Sequence, residues 1–342
     1  MRILVTGGSG YFGTALRQLL RARGHSVRNF DIVPPDPGDS VDEFVPGDIR
    51  DEAAVGRACA GMEIVHHNVA QVPLAKDRAM FESVNVGGTE KLLGASRAAG
   101  VRKVVYTSSS AVFGVPEHCP VTEASAPHPA EAYGRAKYEG ELRCLEQVRQ
   151  GADISIVRPR TILGHGRLGI FQILFEWVRR GSNVPVLGRG DNLYQFVHAD
   201  DLATACMLAG ERPGAAVYNI GTDRFGTMRE VLEALCQHAR TGSKVRSVPM
   251  GPAVWGMNLT SALGLSPLGP YHSLMYGRSM YFDISKAVKE LGWHPTRSNS
   301  EMFVESYDWY ISNREAVLRA SGASHHRSPV KQGILEIIGR LL

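Results

Sequence analysis

At 342 residues the chain is long enough to bury a large core, in one domain or two. Its 44% hydrophobic and 21% charged fractions are those of a soluble globular protein, and a net charge of +4 is too small to argue for a nucleic-acid partner. No run approaches the roughly 18 consecutive apolar residues of a membrane span, and the chain opens directly on a strand, which leaves no room for a signal peptide.

Met1–Thr6 reads as a short buried strand, and Gly7-Gly8-Ser9-Gly10-Tyr11-Phe12-Gly13 as a turn into a helix. The spacing is G-x-x-G-x-x-G. Gly7 lets the backbone turn off the strand, Gly10 leaves no Cβ between backbone and a bound pyrophosphate, and Gly13 lets the helix lie close on the sheet. The helix start, with Tyr11 and Phe12, presents N–H groups and a positive dipole end to the phosphates. Three features around the loop support a dinucleotide: a strand before it, helical spacing after it (Ala15, Leu16, Leu19, Leu20), and an acid about 20 residues on. The acid is Asp31, closing a second strand over Val27–Asp31. Its carboxylate accepts hydrogen bonds from ribose hydroxyls and repels a 2′-phosphate, which favours NAD over NADP.

Residues 43–51 read as a short third strand and a helix start. Asp48 and Ile49 fall where an adenine would lie, Asp48 taking the exocyclic amine and Ile49 packing on the ring. Residues 62–70 form a fourth strand, whose small terminal residues Val69 and Ala70 let a cofactor lie against backbone. His66 and His67 are adjacent on that strand and point to opposite faces, so no metal site is expected. Asn85–Thr89 belongs to a long helix that stops at Gly100. The fifth strand, residues 101–110, ends in four hydroxyl residues at the crevice edge. Tyr133 and Lys137 follow, four apart on one face of a helix. The five cysteines are scattered and without metal-ligand spacing, and read as reduced thiols of a cytoplasmic protein.

A free tyrosine, with a pKa near 10, is a poor base at neutral pH. A lysine ammonium one turn away favours the phenolate and can also bind the nicotinamide ribose. Tyr133 then takes the proton of a secondary alcohol while hydride leaves, or donates it to a ketone in reverse. Ser109 holds the same oxygen. The expected catalytic set is Ser109, Tyr133 and Lys137.

These pieces together resemble the extended short-chain dehydrogenase/reductases, the superfamily of the NAD-dependent epimerase/dehydratases. The likeness rests on Thr6–Gly13, Gly47–Asp51, His67-Asn68-Val69-Ala70-Gln71, Asn85–Thr89, Ser108–Gly114 and Tyr133–Lys137. It continues through Val157-Arg158-Pro159, Phe196–Ala203, Tyr218–Gly221 and Leu291-Gly292-Trp293, roughly residues 1 to 310. It implies an α/β Rossmann fold, a doubly wound parallel sheet with a smaller C-terminal α/β substrate lobe. Residues 1–160 and 190–222 form the NAD-binding core, 161–189 and 223–315 the substrate lobe, and 316–342 a basic tail with a short amphipathic helix. It also implies NAD as cofactor, Arg158 among its contacts, and a homodimer through a four-helix interface of the helices near 80–99 and 133–150.

Departures narrow the reaction. Where nucleotide-sugar 4,6-dehydratases carry an Asp–Glu pair for removing water, this chain has Ser110 and Ala111, so dehydration is not expected. Ser109 matches the family's catalytic Ser/Thr, with Ser110 as the fallback if the alignment slips by one. Where nucleotide-sugar epimerases place a diphosphate-binding Arg, it has Tyr194. Arg278 lies nearer the Tyr281–Lys286 segment than that family's second phosphate Arg, and the segment itself resembles the 3β-hydroxysteroid-dehydrogenase-like branch. Two enzyme readings follow: a sugar epimerase, on a nucleotide sugar, and a net dehydrogenase or reductase of a lipid or other apolar alcohol. A third reading, a non-catalytic NAD-binding sensor, sits badly with the presence of both Tyr133 and Lys137. The substrate positions are Gln71, Ser110, Arg160, Thr161, Tyr194 and Arg278.

The Gly-rich basic loop Arg160–Arg167 falls at the substrate mouth. Residues 250–281, rich in Gly, Pro, Met, Leu and aromatics, read as lobe core or as an apolar lid for a greasy or lipid-linked substrate. The tail docks on protein or touches a membrane surface.

Overall fold

The computed structural model describes residues 1–39, 42–71, 78–263 and 276–319. The tail beyond 319 and the apolar residues 264–275 lie outside them, and with them the expectations placed there.

A strand-helix-strand unit opens the chain: β1 (Arg2–Thr6), α1 (Tyr11–Ala22) and β2 (Ser26–Asp31). Next come β3 (Glu43–Pro46), α2 (Glu52–Cys59) and β4 (Ile64–His67). The short α3 (Arg78–Met80) runs through a π-helical stretch, Phe81–Gly87, into α4 (Gly88–Ala98). Gly100, at φ +70°, ends this long helix. Then follow β5 (Lys103–Thr107), a 3-10 turn at Ser110–Phe113, α5 (Ala132–Arg149) and β6 (Ile154–Pro159).

The second half alternates between sheet and lobe. Its elements are β7 (Thr161–Leu163), α6 (Ile170–Arg179), β8 (Val184–Leu187), β9 (Leu193–Tyr194), β10 (Phe196–His198), α7 (Ala199–Glu211) and β11 (Ala216–Ile220). After them come β12 (Gly226–Thr227), α8 (Met228–Ala239), β13 (Val245–Val248), α9 (Met250–Ala262), α10 (Ser285–Leu291) and α11 (Asn299–Arg319).

Seven parallel strands form one sheet in the order β11-β6-β5-β4-β1-β2-β3. Strand order reverses between β1 and β4, and the carboxyl ends of these two neighbours open a crevice, the place where such sheets bind ligands. Both faces are covered, as the unbroken apolar runs of the strands require. On one face Leu16, Leu20, Leu202 and Trp293 are buried; on the other, Val55, Leu92, Leu93 and Cys144. Each such side chain contributes about 1.5–3 kcal/mol on leaving water. Helix starts are set locally: Asp51 caps α2 through the N–H groups of Ala53 and Ala54, and Thr227 with Glu230 forms a capping box on α8.

The lobe has its own core, in which Phe171, Phe175, Leu235, Phe303 and Tyr310 are buried beside the parallel pair β8–β13. One expectation is corrected here. The supposed loop Arg160–Arg167 contains β7, which pairs with β10. Its alternation is the reason: Ile162 packs on the sheet core and Leu163 in the lobe core, so the strand joins the two.

Candidate functional site

The glycine loop is built by close approach. Gly7 sits at φ +67° and its N–H donates to Phe30 O at 2.8 Å, bending the chain off β1. A Cβ on Gly13 would stand 2.1 Å from Gly7 O, so only glycine lets α1 begin this close to the strand. The N-cap residue Gly10 offers no side-chain cap, which leaves the first N–H groups of α1 directed at the crevice. Asp31 closes β2 beside the loop. Its Oδ2 accepts from Ser9 N–H at 3.0 Å and its Oδ1 from Val33 N–H at 3.1 Å, while burial raises its pKa against them. An uncapped helix start, a glycine-rich loop and an adjacent carboxylate fit a dinucleotide. Phe12 is packed in the core and Tyr11 lies under the Arg167 guanidinium, 5.6 Å from its ring.

The structure places the other expected cofactor contacts as follows. Asp48 spends its carboxylate on Arg50, whose Nε donates at 2.9 Å and whose side-chain hydrogen bonds hold Asp48 below the usual carboxylate range. Ile49 is buried against Gly88 under α4. Val69 and Ala70 are half-buried at the end of β4, with Val69 backbone 3.0 Å from where a Cβ on Gly7 would stand. Asn85, in the π-helical stretch, clamps the next residue: its Oδ1 accepts from Gln71 N–H at 2.7 Å and its Nδ2 donates to Gln71 O at 3.1 Å. His67 bonds Thr6 and Thr89 through its two ring nitrogens, and His66 lies on the opposite face against Gly210. Burial pushes both imidazoles down to about 3.

Strand β5 and helix α5 bring the hydroxyl cluster to Tyr133. Ser109 caps the 3-10 turn by accepting from Ala111 N–H at 3.1 Å, and its side chain lies where it favours the ionised form of the Tyr133 phenol. Glu131 starts α5, accepting from the N–H groups of Tyr133 and Gly134 at 2.7 and 2.6 Å. Tyr133, Lys137 and Glu141 then share one face at successive turns. Lys137 Nζ donates to Thr107 O at 2.8 Å and lies 4.9 Å from the centre of the Tyr106 ring. Burial pushes the Tyr133 phenol up to about 12, with the Ser109 hydrogen bond opposing it, although part of the side chain stays accessible. Burial lowers Lys137 to about 8. Desolvation therefore sets the phenol above its free value, where the sequence led to an expected lowering by Lys137.

Arg158, expected among the cofactor contacts, forms a buried ion pair. Its Nε and NH2 donate to the two oxygens of Glu141 at 2.9 and 2.6 Å, and Ser108 Oγ donates to Glu141 Oε1 at 2.5 Å. The pair lies beneath the face that carries Lys137.

The substrate positions fall into one cluster and two outliers. Arg160, 1% exposed, donates from NH1 to Ser110 Oγ at 2.9 Å. Its guanidinium lies 4.6 Å from the centre of the Tyr194 ring and 5.6 Å from that of Phe282. Thr161 and Tyr194 share a hydroxyl contact at 3.0 Å. The Nε and NH2 of Arg160 have no hydrogen-bond partner among the described residues, an unmet demand for an acceptor. Gln71 is held through its backbone by Asn85. Arg278 is exposed, and its backbone carbonyl accepts from Asn192 Nδ2 at 3.2 Å. A cavity of about 610 Å³ along α11, lined by His165, Arg297, Glu305 and Trp309, includes none of the expected site residues.

Sequence reading missed Glu141, Asn85 and Glu131. Glu141 continues the four-residue spacing of Tyr133 and Lys137, and Glu131 stands just before the helix start; both signals were present in the sequence.

The family model described as "NAD dependent epimerase/dehydratase family" matches residues 3–221. An uncharacterized Sinorhizobium fredii protein, y4nG, is 58% identical over 336 residues, covering 98% of this chain and 85% of that one. The 3 beta-hydroxysteroid dehydrogenase/Delta 5-->4-isomerase of Mycobacterium tuberculosis is 32% identical, with 96% of each chain covered. Among solved structures, the Thermus thermophilus UDP-glucose 4-epimerase complex with NAD superposes with a TM-score of 0.74 at 26% identity, over 91% of this chain and 99% of that one.

Proposed function

The chain belongs to the NAD-dependent epimerase/dehydratase family, and from that premise we propose that it is a sugar epimerase-type oxidoreductase acting on a nucleotide sugar. It oxidises one secondary alcohol to a ketone and reduces it again from the other face. The observation that carries this reading is the placement of Ser109 beside Tyr133, with the Ser109 hydroxyl favouring the ionised phenol, near the crevice where the uncapped start of α1 stands.

Ser109 and Tyr133 hold the reacting oxygen. Tyr133 receives the alcohol proton in the forward direction and returns it to the ketone. With the phenol at about 12 in the unliganded chain, Tyr133 rests as the proton donor. Lys137, at about 8, is mostly protonated at neutral pH and is aligned to hold the cofactor ribose. Bound NAD supplies the hydride acceptor. Gly7, Gly10, Gly13, Asp31, Val69 and Ala70 are the residues proposed to hold it. Ser110, engaged by Arg160, and the buried Ala111 offer no acid–base pair for removing water. The proposal includes a homodimer through α4 and α5; Leu142 of α5 stands exposed.

The test is to incubate the protein with NAD and a panel of UDP- and GDP-sugars. Conversion of a sugar to its epimer without net reduced cofactor supports the reading. Steady accumulation of reduced nicotinamide overturns it in favour of a second reading, a net dehydrogenase of an apolar alcohol. That second reading is favoured by Tyr194, buried against Arg160 at the position where a diphosphate Arg was expected.

A further inference from the structure

We propose that the segment around α9 docks this protein onto an anionic lipid surface. Between Glu233 and Asp283 the chain has no Asp or Glu, and from Ser247 to Gly277 no Lys or Arg either. The cations of this stretch are Arg240, Lys244, Arg246 and Arg278, and all four are exposed. On α9 and at its end, Trp255, Leu259 and Leu263 follow each other at every fourth residue, so they share one face. That face points outward: Trp255 is 69% exposed and Leu263 63%. Among the described residues no helix is long and apolar enough to cross a membrane.

Two adjoining features define the occupant. Apolar side chains of this size left in water, aligned on one helix, mark an interaction surface. The cations stand at the start of the same helix. Lys244 and Arg246 lie in the stretch just before α9, and Met250 Cε comes within 2.8 Å of a Cβ placed on Gly277, which sets Arg278 beside the helix start. Trp and Leu reaching into an acyl boundary, with Arg and Lys at the headgroups, is how an interfacial helix binds. A second copy of the chain fits less well: laid face to face, it would bring the same cations against each other with no acid in the segment to pair them.

The segment also leads to the substrate cluster. Tyr276, one residue before the uncharged stretch ends, has its ring 6.0 Å from that of Tyr194, which in turn lies against Arg160. A substrate anchored in lipid would reach the site along this path. The docking itself does not depend on the reaction proposed above, and its test reads binding rather than turnover.

The experiment is co-sedimentation of the full chain with vesicles of phosphatidylcholine alone and of phosphatidylcholine mixed with phosphatidylglycerol. The protein is expected to pellet with the anionic vesicles and to be released by salt. The triple change Trp255→Ser, Leu259→Ser, Leu263→Ser is expected to lower partitioning on the order of a hundredfold. The double change Arg246→Gln, Arg278→Gln is expected to lower it about tenfold on anionic vesicles only. The double change alters exposed charge alone, so it carries the test if the triple variant fails to fold. Three results overturn the proposal: wild type remaining in the supernatant, either variant pelleting like wild type, or a wild-type dimer in vesicle-free buffer that the triple change makes monomeric.

Discussion

Helices α5 and α9 treat charge in opposite ways. On α5 the face toward the sheet carries Lys137 and Glu141, both buried, with Arg158 reaching in to complete the pair. On α9 there is no charge at all, and the large apolar side chains face outward. A buried charge must be matched in place, so α5 is rigidly determined by its partners. The exposed apolar stripe is matched by nothing among the described residues, which leaves α9 to meet something outside them. In the proposed reading, chemistry is concentrated on the first helix and encounter on the second.

The sharpest break in this contrast is Tyr133→Phe. It should lower turnover by roughly a hundred- to ten-thousandfold, with NAD binding by equilibrium dialysis little changed. Intact turnover would remove Tyr133 from the proposed chemistry. Next comes Glu141→Ala, which strands Arg158 as an uncompensated buried charge. A loss of about 3–5 kcal/mol in urea unfolding is expected, and replacing both partners by apolar residues should restore most of it. The matching change on α9, Trp255→Ser, should move stability by no more than about 0.5 kcal/mol.

The Lys137 ammonium gives a pH test of the same face. Its pKa is about 8 in the folded chain against 10.5 for the free group. Below pH 8 both folded and unfolded chains hold the proton, and burying it costs stability in full. Between pH 8 and 10.5 the unfolded chain holds more protons, so stability rises with pH in that window. Comparing unfolding of the wild type with Lys137→Met isolates the effect, which should reach about 3 kcal/mol in favour of the wild type as pH rises. A further test concerns the cofactor loop. Asp31→Ser should shift binding preference from NAD toward NADP by about tenfold, or 1.4 kcal/mol, measured by fluorescence titration; an unchanged preference would take Asp31 out of the ribose site.

Much of the nucleotide-binding half was legible from sequence because its signals are local. The strand before Gly7, the helix after Gly13 and the acid at the end of β2 all fall within some thirty residues. The spacing of Tyr133 and Lys137 was legible for the same reason. The pairing of Arg158 was not legible because its partner, Glu141, sits on a different element, and nothing in the segment Val157-Arg158-Pro159 says where its guanidinium goes. Arg160–Arg167 was read as loop because its glycines outweighed three residues, Thr161–Leu163, whose pairing with β10 is visible only in three dimensions.

By itself, then, the sequence determined the glycine turn, the carboxylate beside it and the one-turn interval between Tyr133 and Lys137. Each depends on backbone geometry over a few residues. Tertiary structure alone decided that Glu141 and Arg158 pair in the interior, that Arg160 is held between Tyr194 and Phe282, and that Trp255, Leu259 and Leu263 face outward. It also decided that the Tyr133 phenol rests near 12 rather than below its free value. Desolvation and ion pairing depend on how densely distant segments surround a group, and that density exists only once the chain has folded.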